Sequence, residues 1–190
     1  MKLKLIVLFS MIYMLCIALT SNLDINIDKY YITIKHPTVF DIGYHYLPNL
    51  SKYEIIGNIY SFIFLIILLC LPNLWEDFFG YMIPIIFIRL LFIHMTVLPK
   101  HRKCNINDQN YFLGGCYDKI FSGHFATVLL ISLLLLKYKY ISLPWVISIN
   151  IIHLLLLLMF RWHYTIDMII ALMVTLIIVQ NDMNIIHLLK

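Results

Sequence analysis

The chain has 190 residues, of which 62% are hydrophobic and 13% are charged, and its formal net charge is +4. Charged residues make up about a quarter of an ordinary soluble domain, and here the mean hydropathy is +0.89. The composition argues against a soluble globular domain. It predicts an all-α integral membrane protein, because the apolar runs are long rather than alternating. No long basic stretch is interleaved with aromatic residues, since the alternating run at 137–140 has only four residues, so we expect no nucleic-acid partner.

The first apolar run follows Lys2 and Lys4 and ends near residue 19. Residues 1–20 therefore fit either a first transmembrane helix or a cleaved signal peptide, and we favour the retained helix. Residues 21–52 are polar and aromatic, and they contain no apolar run long enough to span a bilayer. We expect this stretch to be an exoplasmic loop on the membrane surface.

Residues 53–190 are predicted to form a five-helix membrane core, with spans near 53–71, 78–98, 121–136, 143–160 and 164–179. With the first helix they make a six-helix transmembrane bundle. Arg89 lies well inside the third span, where a charge is costly unless it faces a partner or a polar cavity. Arg89 is therefore a candidate site residue, and the alternatives are a structural ion pair or a side chain that snorkels to the membrane interface. His153, in the middle of the fifth span, is expected to be a hydrogen-bonded packing residue.

A second polar loop, residues 99–120, contains Cys104 and Cys116. In an oxidising compartment these two cysteines would form a disulfide. Cys16 and Cys70 lie in apolar runs and are expected to pack as small hydrophobic residues.

Three polar residues next to the last spans are predicted to meet on one side of the membrane. His124 opens the fourth span, His163 closes the fifth, and Asp167 lies in the first turn of the sixth. The chain crosses and returns between His124 and His163, so both emerge on the same face. Asp167 is four residues after His163, the spacing that places side chains on one face of a helix. A polar cap on a membrane helix would show the same pair.

We place this face on the exoplasmic side, although its loops carry more Lys and Arg than the cytosolic ones, against the positive-inside tendency. The N-terminal signal usually sets orientation, and cations around a site can also hold a phosphate. Two histidines, a carboxylate and several cations suit phosphoryl transfer without a cofactor. One imidazole attacks phosphorus, the carboxylate supports it, and the second imidazole protonates the leaving oxygen. We expect no metal, because a closely spaced ligand pair such as a zinc motif is missing from the sequence.

Four segments resemble the motifs of the sphingomyelin synthase family. The most specific are residues 115–124 (GCYDKIFSGH) and residues 163–167 (HYTID). Arg89, with Thr96 to Pro99 and Cys104 beyond, resembles a further motif, and Asp41 with Leu47 and Pro48 is a loose counterpart of another. Arg161 and Trp162 depart from the family, which has polar residues before the histidine.

The resemblance implies a six-helix bundle related to the type 2 phosphatidic acid phosphatase (PAP2) superfamily. It implies that His163 is the nucleophile, Asp167 its orienting partner and His124 the acid and then the base. It also implies transfer of phosphocholine, or a related phospho-alcohol, from phosphatidylcholine or another phospholipid to ceramide or diacylglycerol. We predict six residues for substrate binding: Arg89, Asp118, Ser122, Gly123, Arg161 and Tyr164.

Two other functions remain open. A lipid phosphatase or phospholipase of the same fold would let water resolve the intermediate, and a membrane scaffold or lipid-binding protein would perform no chemistry. The chain lacks the Lys-x6-Arg-Pro pattern of the phosphatases, which favours the transferase. The headgroup, the acceptor, homo-oligomerisation and the compartment, either the Golgi and endomembranes or the plasma membrane, are left undecided by the sequence.

Overall fold

The protein is described by a computed structural model over residues 2–33, 39–99, 116–117 and 119–183. These residues form helices and connecting segments without any β-strand. The seven α-helices are α1 (Lys2–Thr33), α2 (Ile42–Tyr46), α3 (Ile55–Cys70), α4 (Trp75–Met95), α5 (Gly123–Lys137), α6 (Leu143–Met159) and α7 (Thr165–Met183). Short 3-10 turns at Ser51–Tyr53 and Pro72–Leu74 precede α3 and α4. The all-helical prediction is confirmed, and α3 to α7 lie where the sequence places the last five spans.

Helix α5 is the centre of the bundle. Nearly every residue from Phe125 to Leu135 is buried, and α5 contacts α3, α4, α6 and α7. A helix that is apolar on all sides is stable only when other helices surround it. Because α5 is held from several sides, the residues at its N-terminus have a defined position.

Helix α1 differs from the prediction, because it continues past residue 20 and ends at Thr33. It packs mainly against α4. The prediction took the loss of hydropathy after residue 20 as the end of the helix. A helix satisfies its own backbone hydrogen bonds in lipid and in water alike, so falling hydropathy marks a change of surroundings rather than a helix end. The loop predicted to begin at residue 21 therefore begins later.

Two stretches of the described chain, Leu3–Lys29 and Pro72–Met95, are helical, long enough and apolar enough to cross a membrane. Four further apolar helices are shorter: Ile55–Cys70, Gly123–Lys137, Leu143–Met159 and Thr165–Gln180. Large apolar side chains cover the outside of the bundle, including Phe62 (60% exposed), Leu69 (65%) and Ile177 (62%). An exposed apolar surface of this kind suits a lipid environment. The crossing of all six predicted spans stays a prediction.

Polar side chains inside the bundle pair with one another between helices. His153 of α6 is fully buried, and its Nε2 lies 3.1 Å from Ser61 Oγ of α3. Asn150 donates to Ser132 Oγ of α5 at 2.8 Å. Buried polar groups cost free energy unless they are hydrogen-bonded, so these pairs fix which faces of α3, α5 and α6 meet.

Gly57 of α3 allows a close approach between α3 and the turn after α6. A Cβ atom at this position would lie 2.9 Å from Phe160 Cδ2 and 3.1 Å from the Trp162 ring. Gly80 of α4 is also a helical glycine, but a Cβ there would meet nothing within 4 Å.

We therefore predict opposite effects for two identical substitutions. Gly57→Ala should lower the free energy of unfolding, since overpacking costs about 1–3 kcal/mol. Gly80→Ala should raise it by about 0.5–1 kcal/mol, the usual gain on replacing a helical glycine. Unfolding midpoints in one detergent would test both variants. Equal shifts of the two midpoints would contradict the close contact at Gly57.

Candidate active site

The predicted catalytic residues lie together at one end of the bundle. This end contains the N-termini of α3, α5 and α7, the C-termini of α1, α4 and α6, and the short helix α2. The structure brings His124, His163 and Asp167 together here, as the count of chain crossings predicts.

His163 is nearly buried, with 5% of its surface exposed. Its Nδ1 lies 3.0 Å from the carbonyl oxygen of Lys119 and 3.4 Å from Asp167 Oδ2. Both neighbours are hydrogen-bond acceptors, so Nδ1 must carry the proton of the neutral imidazole. The lone pair is therefore on Nε2. This is the tautomer that a nucleophilic histidine requires, with its orientation fixed from the opposite ring nitrogen.

Asp167 is fully buried in the first turn of α7. Its Oδ2 accepts the Tyr164 backbone N–H at 2.8 Å in addition to facing His163. A carboxylate in the first turn that accepts the N–H just before the helix stabilises the start of that helix. Asp167 therefore supports the His163 ring and the local backbone at the same time. The Ser122 N–H also donates to the Asp167 carbonyl, at 3.5 Å, and joins α5 to α7.

His124 faces His163 across the site, with 6.5 Å between the ring centroids. It lies in the first turn of α5 and is partly exposed, unlike His163. On its other side the Trp162 ring is tilted against it, at 5.4 Å between centroids. Partial exposure lets His124 exchange protons with its surroundings.

Ser122 and Gly123 form the start of α5. Ser122 Oγ accepts the Phe125 N–H at 3.2 Å and caps the helix. The guanidinium of Arg89 passes beneath this turn: its Nε donates to the Phe121 carbonyl at 3.2 Å, and a Cβ at Gly123 would lie 3.2 Å from that same nitrogen. Gly123 thus permits the close approach of a cation to the helix start.

Arg161 supports the short helix α2. Its guanidinium donates to the carbonyls of Tyr44 at 3.0 Å and Leu47 at 2.7 Å, and it lies over the Tyr44 ring at 4.4 Å. Burial raises the pKa of Tyr44, so its hydroxyl stays neutral. In this structure Arg161 positions the 43–47 segment, and its predicted contact with substrate stays a prediction.

Helix α2 is also tied to the start of α7. Asp41 caps α2 through the Tyr44 N–H at 3.0 Å, and its Oδ2 accepts the Thr165 N–H at 2.7 Å. Thr165 Oγ1 donates to Asp41 Oδ1 at 3.0 Å. Tyr164, a predicted substrate-binding residue, stacks on Tyr44 and donates its hydroxyl to the Pro99 carbonyl at 3.0 Å. These contacts close one side of the site.

The segment before Lys119 is held by the C-terminal half of α1. Asp24 is fully buried and accepts two backbone N–H groups, from Cys116 at 2.6 Å and from Tyr117 at 3.1 Å. The Tyr117 hydroxyl donates to Asp28 at 2.7 Å, and the Tyr117 ring stacks on Tyr31 at 5.3 Å. Helix α1 therefore sets the position of the backbone that supplies a carbonyl to His163.

Of the two cysteines predicted to form a disulfide, only Cys116 lies in the described part of the chain. Cys116 is disulfide-bonded, whereas Cys16 and Cys70 have free thiols. The predicted partner Cys104 lies outside the described residues, so the pairing stays a prediction. Asp118 also lies outside them. The described part of the chain contains no group of three His, Cys, Asp or Glu side chains placed to hold a metal ion.

Several residues that shape the site were not singled out from the sequence. Lys119 acts through its carbonyl, which any residue could supply, and no side-chain pattern could reveal it. Asp24 lies far from the motifs in sequence, although a carboxylate at the end of an apolar run signals a need for a partner.

The arrangement suits a phosphate. The N-termini of α5 and α7 both point into this end of the bundle, and helix N-termini attract anions. Arg89 lies under one of these termini, and the buried side chain of Lys119 adds a second cation near the site. A phosphoryl group between His163 and His124 would have a nucleophile, a proton donor and positive charge around it.

A comparison with protein-family models found a match that covers the last three helices. Residues 115–183 match the family model of the PAP2 superfamily C-terminal domain, and the matched region includes His124, His163 and Asp167. The match supports the PAP2-like superfamily, whose members are typically phosphatases and phosphotransferases. A search of curated proteins found no match, and neither did a search of solved structures. The fold, the match and the apolar helices together fit a phosphoryl-transfer enzyme of membrane lipid metabolism.

The anchoring of the 116–117 backbone by Asp24 is directly testable. Asp24→Ala removes a charged acceptor, and a hydrogen bond to a charged group contributes about 1.5–3 kcal/mol, so amide exchange at Cys116 and Tyr117 should accelerate by roughly tenfold or more. Hydrogen-exchange mass spectrometry would measure it. Asp77→Ala is the control, because Asp77 pairs with Lys137 at the opposite end of the bundle. Unchanged exchange in Asp24→Ala would contradict the anchoring role.

Proposed function

We propose that this protein is a phospholipid headgroup transferase. It would move phosphocholine, or a related phospho-alcohol, from a glycerophospholipid to ceramide through a phosphohistidine on His163. The observation that carries the proposal is the pair of acceptors on His163 Nδ1, which leaves the Nε2 lone pair free, together with His124 facing the same imidazole. The family match supports lipid phosphoryl transfer in general, and the resemblance of residues 115–124 and 163–167 to sphingomyelin synthases supports this particular reaction.

In the first step His163 Nε2 attacks phosphorus and forms a P–N bond. The P–O bond to the glycerol oxygen breaks, and protonated His124 gives its proton to that oxygen, so diacylglycerol leaves as a neutral alcohol. Asp167 and the Lys119 carbonyl stabilise the charge that His163 acquires. Arg89 and the two helix N-termini stabilise the non-bridging phosphate oxygens.

In the second step the roles of His124 reverse. Neutral His124 takes the proton of the ceramide hydroxyl while that oxygen attacks phosphorus. The P–N bond breaks, its electron pair returns to Nε2, and ceramide phosphocholine (or the ceramide ester of the related phospho-alcohol) is released with His163 restored. Protonated His124 is then ready for the next donor.

The proposal includes a bundle of six membrane-crossing helices with this site on the exoplasmic face. The apolar exterior supports a lipid setting. An apolar groove of about 320 Å³ also supports it, because the groove borders Tyr164 and Thr165, beside the catalytic residues, and is lined by Leu98, Ile166 and Ile169. A hydrocarbon chain of a lipid substrate fits the chemistry of this groove.

Product analysis tests the reaction itself. Purified protein would receive labelled phosphatidylcholine and fluorescent ceramide in the presence of a chelator. We expect ceramide phosphocholine as a new product, and we expect it to be absent from His163→Ala, because that variant has no nucleophile. The variant should still insert into membranes.

Two other results would change the function that we propose or its mechanism. Release of water-soluble phosphocholine in place of ceramide phosphocholine would assign the protein to the hydrolases of the same fold. Full transfer by His163→Ala would overturn the mechanism.

The acid role of His124 predicts a dependence on the leaving group. Loss of a general acid costs about 10²–10⁴-fold in rate, so His124→Ala should lose this much with phosphatidylcholine. With p-nitrophenyl phosphocholine the formation of the intermediate should be much less affected, because nitrophenolate leaves without a proton. Single-turnover release of nitrophenolate measures this step alone. Asp167→Asn is the comparison. It weakens the nucleophile, so it should slow the formation of the intermediate from both donors alike.

A further inference from the structure

An acidic and aromatic pair lies at the rim of the site. The Trp162 indole N–H donates to Glu54 Oε2 at 3.3 Å, and the Trp162 ring lies against His124. Glu54 is exposed and Trp162 is partly exposed. Glu54 immediately precedes α3, whereas Trp162 lies in the turn between α6 and α7, so two separate segments meet beside the catalytic histidine.

The position of Trp162 is constrained from behind. Its ring packs against Phe160, with 6.0 Å between centroids, and Gly57 of α3 approaches it so closely that a Cβ would lie 3.1 Å from the ring. A tryptophan held in this way presents a fixed aromatic surface. The hydrogen bond to Glu54 then keeps a carboxylate at the edge of the same ring.

Among the described residues, the positive and negative side chains around the site come from different helices. Arg89 of α4 and Lys119 before α5 supply cations near the proposed phosphate position, whereas the carboxylate of Glu54 belongs to the α3 side. A carboxylate at the rim would repel a second negative charge on a substrate. It would favour a positive group linked to the phosphate.

We propose that Trp162 and Glu54 bind the cationic group of the phospho-alcohol, a quaternary or primary ammonium, while its phosphate lies between His124 and His163. This inference rests on the proposed function and narrows it to donors with zwitterionic headgroups. An ammonium over an indole face is attracted by the ring quadrupole, and a neighbouring carboxylate adds Coulombic attraction. Phosphatidylglycerol, with no cation, would gain neither interaction.

A binding measurement tests the inference without requiring turnover. The full-length protein in detergent would be titrated calorimetrically with phosphocholine, phosphoethanolamine and glycerol 3-phosphate, which share a phosphomonoester and differ in charge. A cation–π contact with a carboxylate beside it should make phosphocholine bind roughly tenfold more tightly than glycerol 3-phosphate. Glu54→Gln and Trp162→Leu should each reduce this ratio, and Trp162→Phe, which keeps an aromatic face but not the N–H, should retain part of it.

Matched controls come from the opposite end of the bundle. Glu76→Gln alters a carboxylate in the first turn of α4, and Trp145→Leu alters an exposed tryptophan at the start of α6. Both should keep the full preference for phosphocholine. Equal affinity for phosphocholine and glycerol 3-phosphate in the unmodified protein would overturn the inference, and so would a preference that survives in both Glu54→Gln and Trp162→Leu.

A parallel transfer assay with phosphatidylcholine and phosphatidylglycerol as donors separates the two proposals. Transfer from both donors at equal rates, with no binding preference, would retain the transferase and reject the headgroup site. A preference for phosphocholine that depends on Trp162 and Glu54, in a protein that transfers nothing, would retain the headgroup site and reject the transferase.

Discussion

The hydrogen bonds at Nδ1 of His163 are the constraint on which the rest of the site depends. A neutral histidine can carry its proton on either ring nitrogen. Which nitrogen can act as a nucleophile therefore depends on the hydrogen bonds that select one tautomer. Here the Lys119 carbonyl and the Asp167 carboxylate both accept at Nδ1. The neutral ring therefore carries its lone pair on Nε2, and charge developing on the ring has a carboxylate beside it. Without those two acceptors at Nδ1, His124, His163 and Asp167 would form only a polar cap on the ends of two helices.

Each acceptor is itself held by a different part of the chain. The backbone before Lys119 is anchored by Asp24 of α1, and Asp167 is fixed by the Tyr164 N–H in its own first turn. Thr165, between Tyr164 and Asp167, is tied to Asp41. The carboxylates Asp24, Asp41 and Asp167 all accept backbone N–H groups. Charged acceptors of this kind form strong hydrogen bonds, which suits segments that lack the packing of a helix core.

Hydropathy and spacing predicted much of this arrangement. Long apolar runs located α3 to α7, the number of crossings placed His124 and His163 at one end, and the four-residue spacing brought Asp167 to His163. The misjudged end of α1 has a physical reason, since hydropathy reports the surroundings of a helix and not its hydrogen bonds. The role of Lys119 was out of reach because it acts through its backbone carbonyl, which carries no sequence signature. Asp24 signals a need for a partner, but its partners are backbone N–H groups, which the sequence does not identify. Arg161 was predicted to bind substrate, and in the structure it donates to the carbonyls of Tyr44 and Leu47, in and just after α2.

The contrast in burial between the two histidines suits the roles of nucleophile and of acid and base that we propose for them. A nucleophile needs one orientation and one tautomer, and His163 has both because it is enclosed by Lys119, Tyr164 and Asp167. An acid that later acts as a base must gain and lose a proton in every cycle, and it must meet first one alcohol and then another. His124 lies in the first turn of α5, partly exposed beside Trp162, where substrates and products can exchange. If His124 were as buried as His163, it could not readily give a proton in one half-reaction and take one in the next. The difference in burial is therefore what a two-step transfer between lipids requires of its two imidazoles.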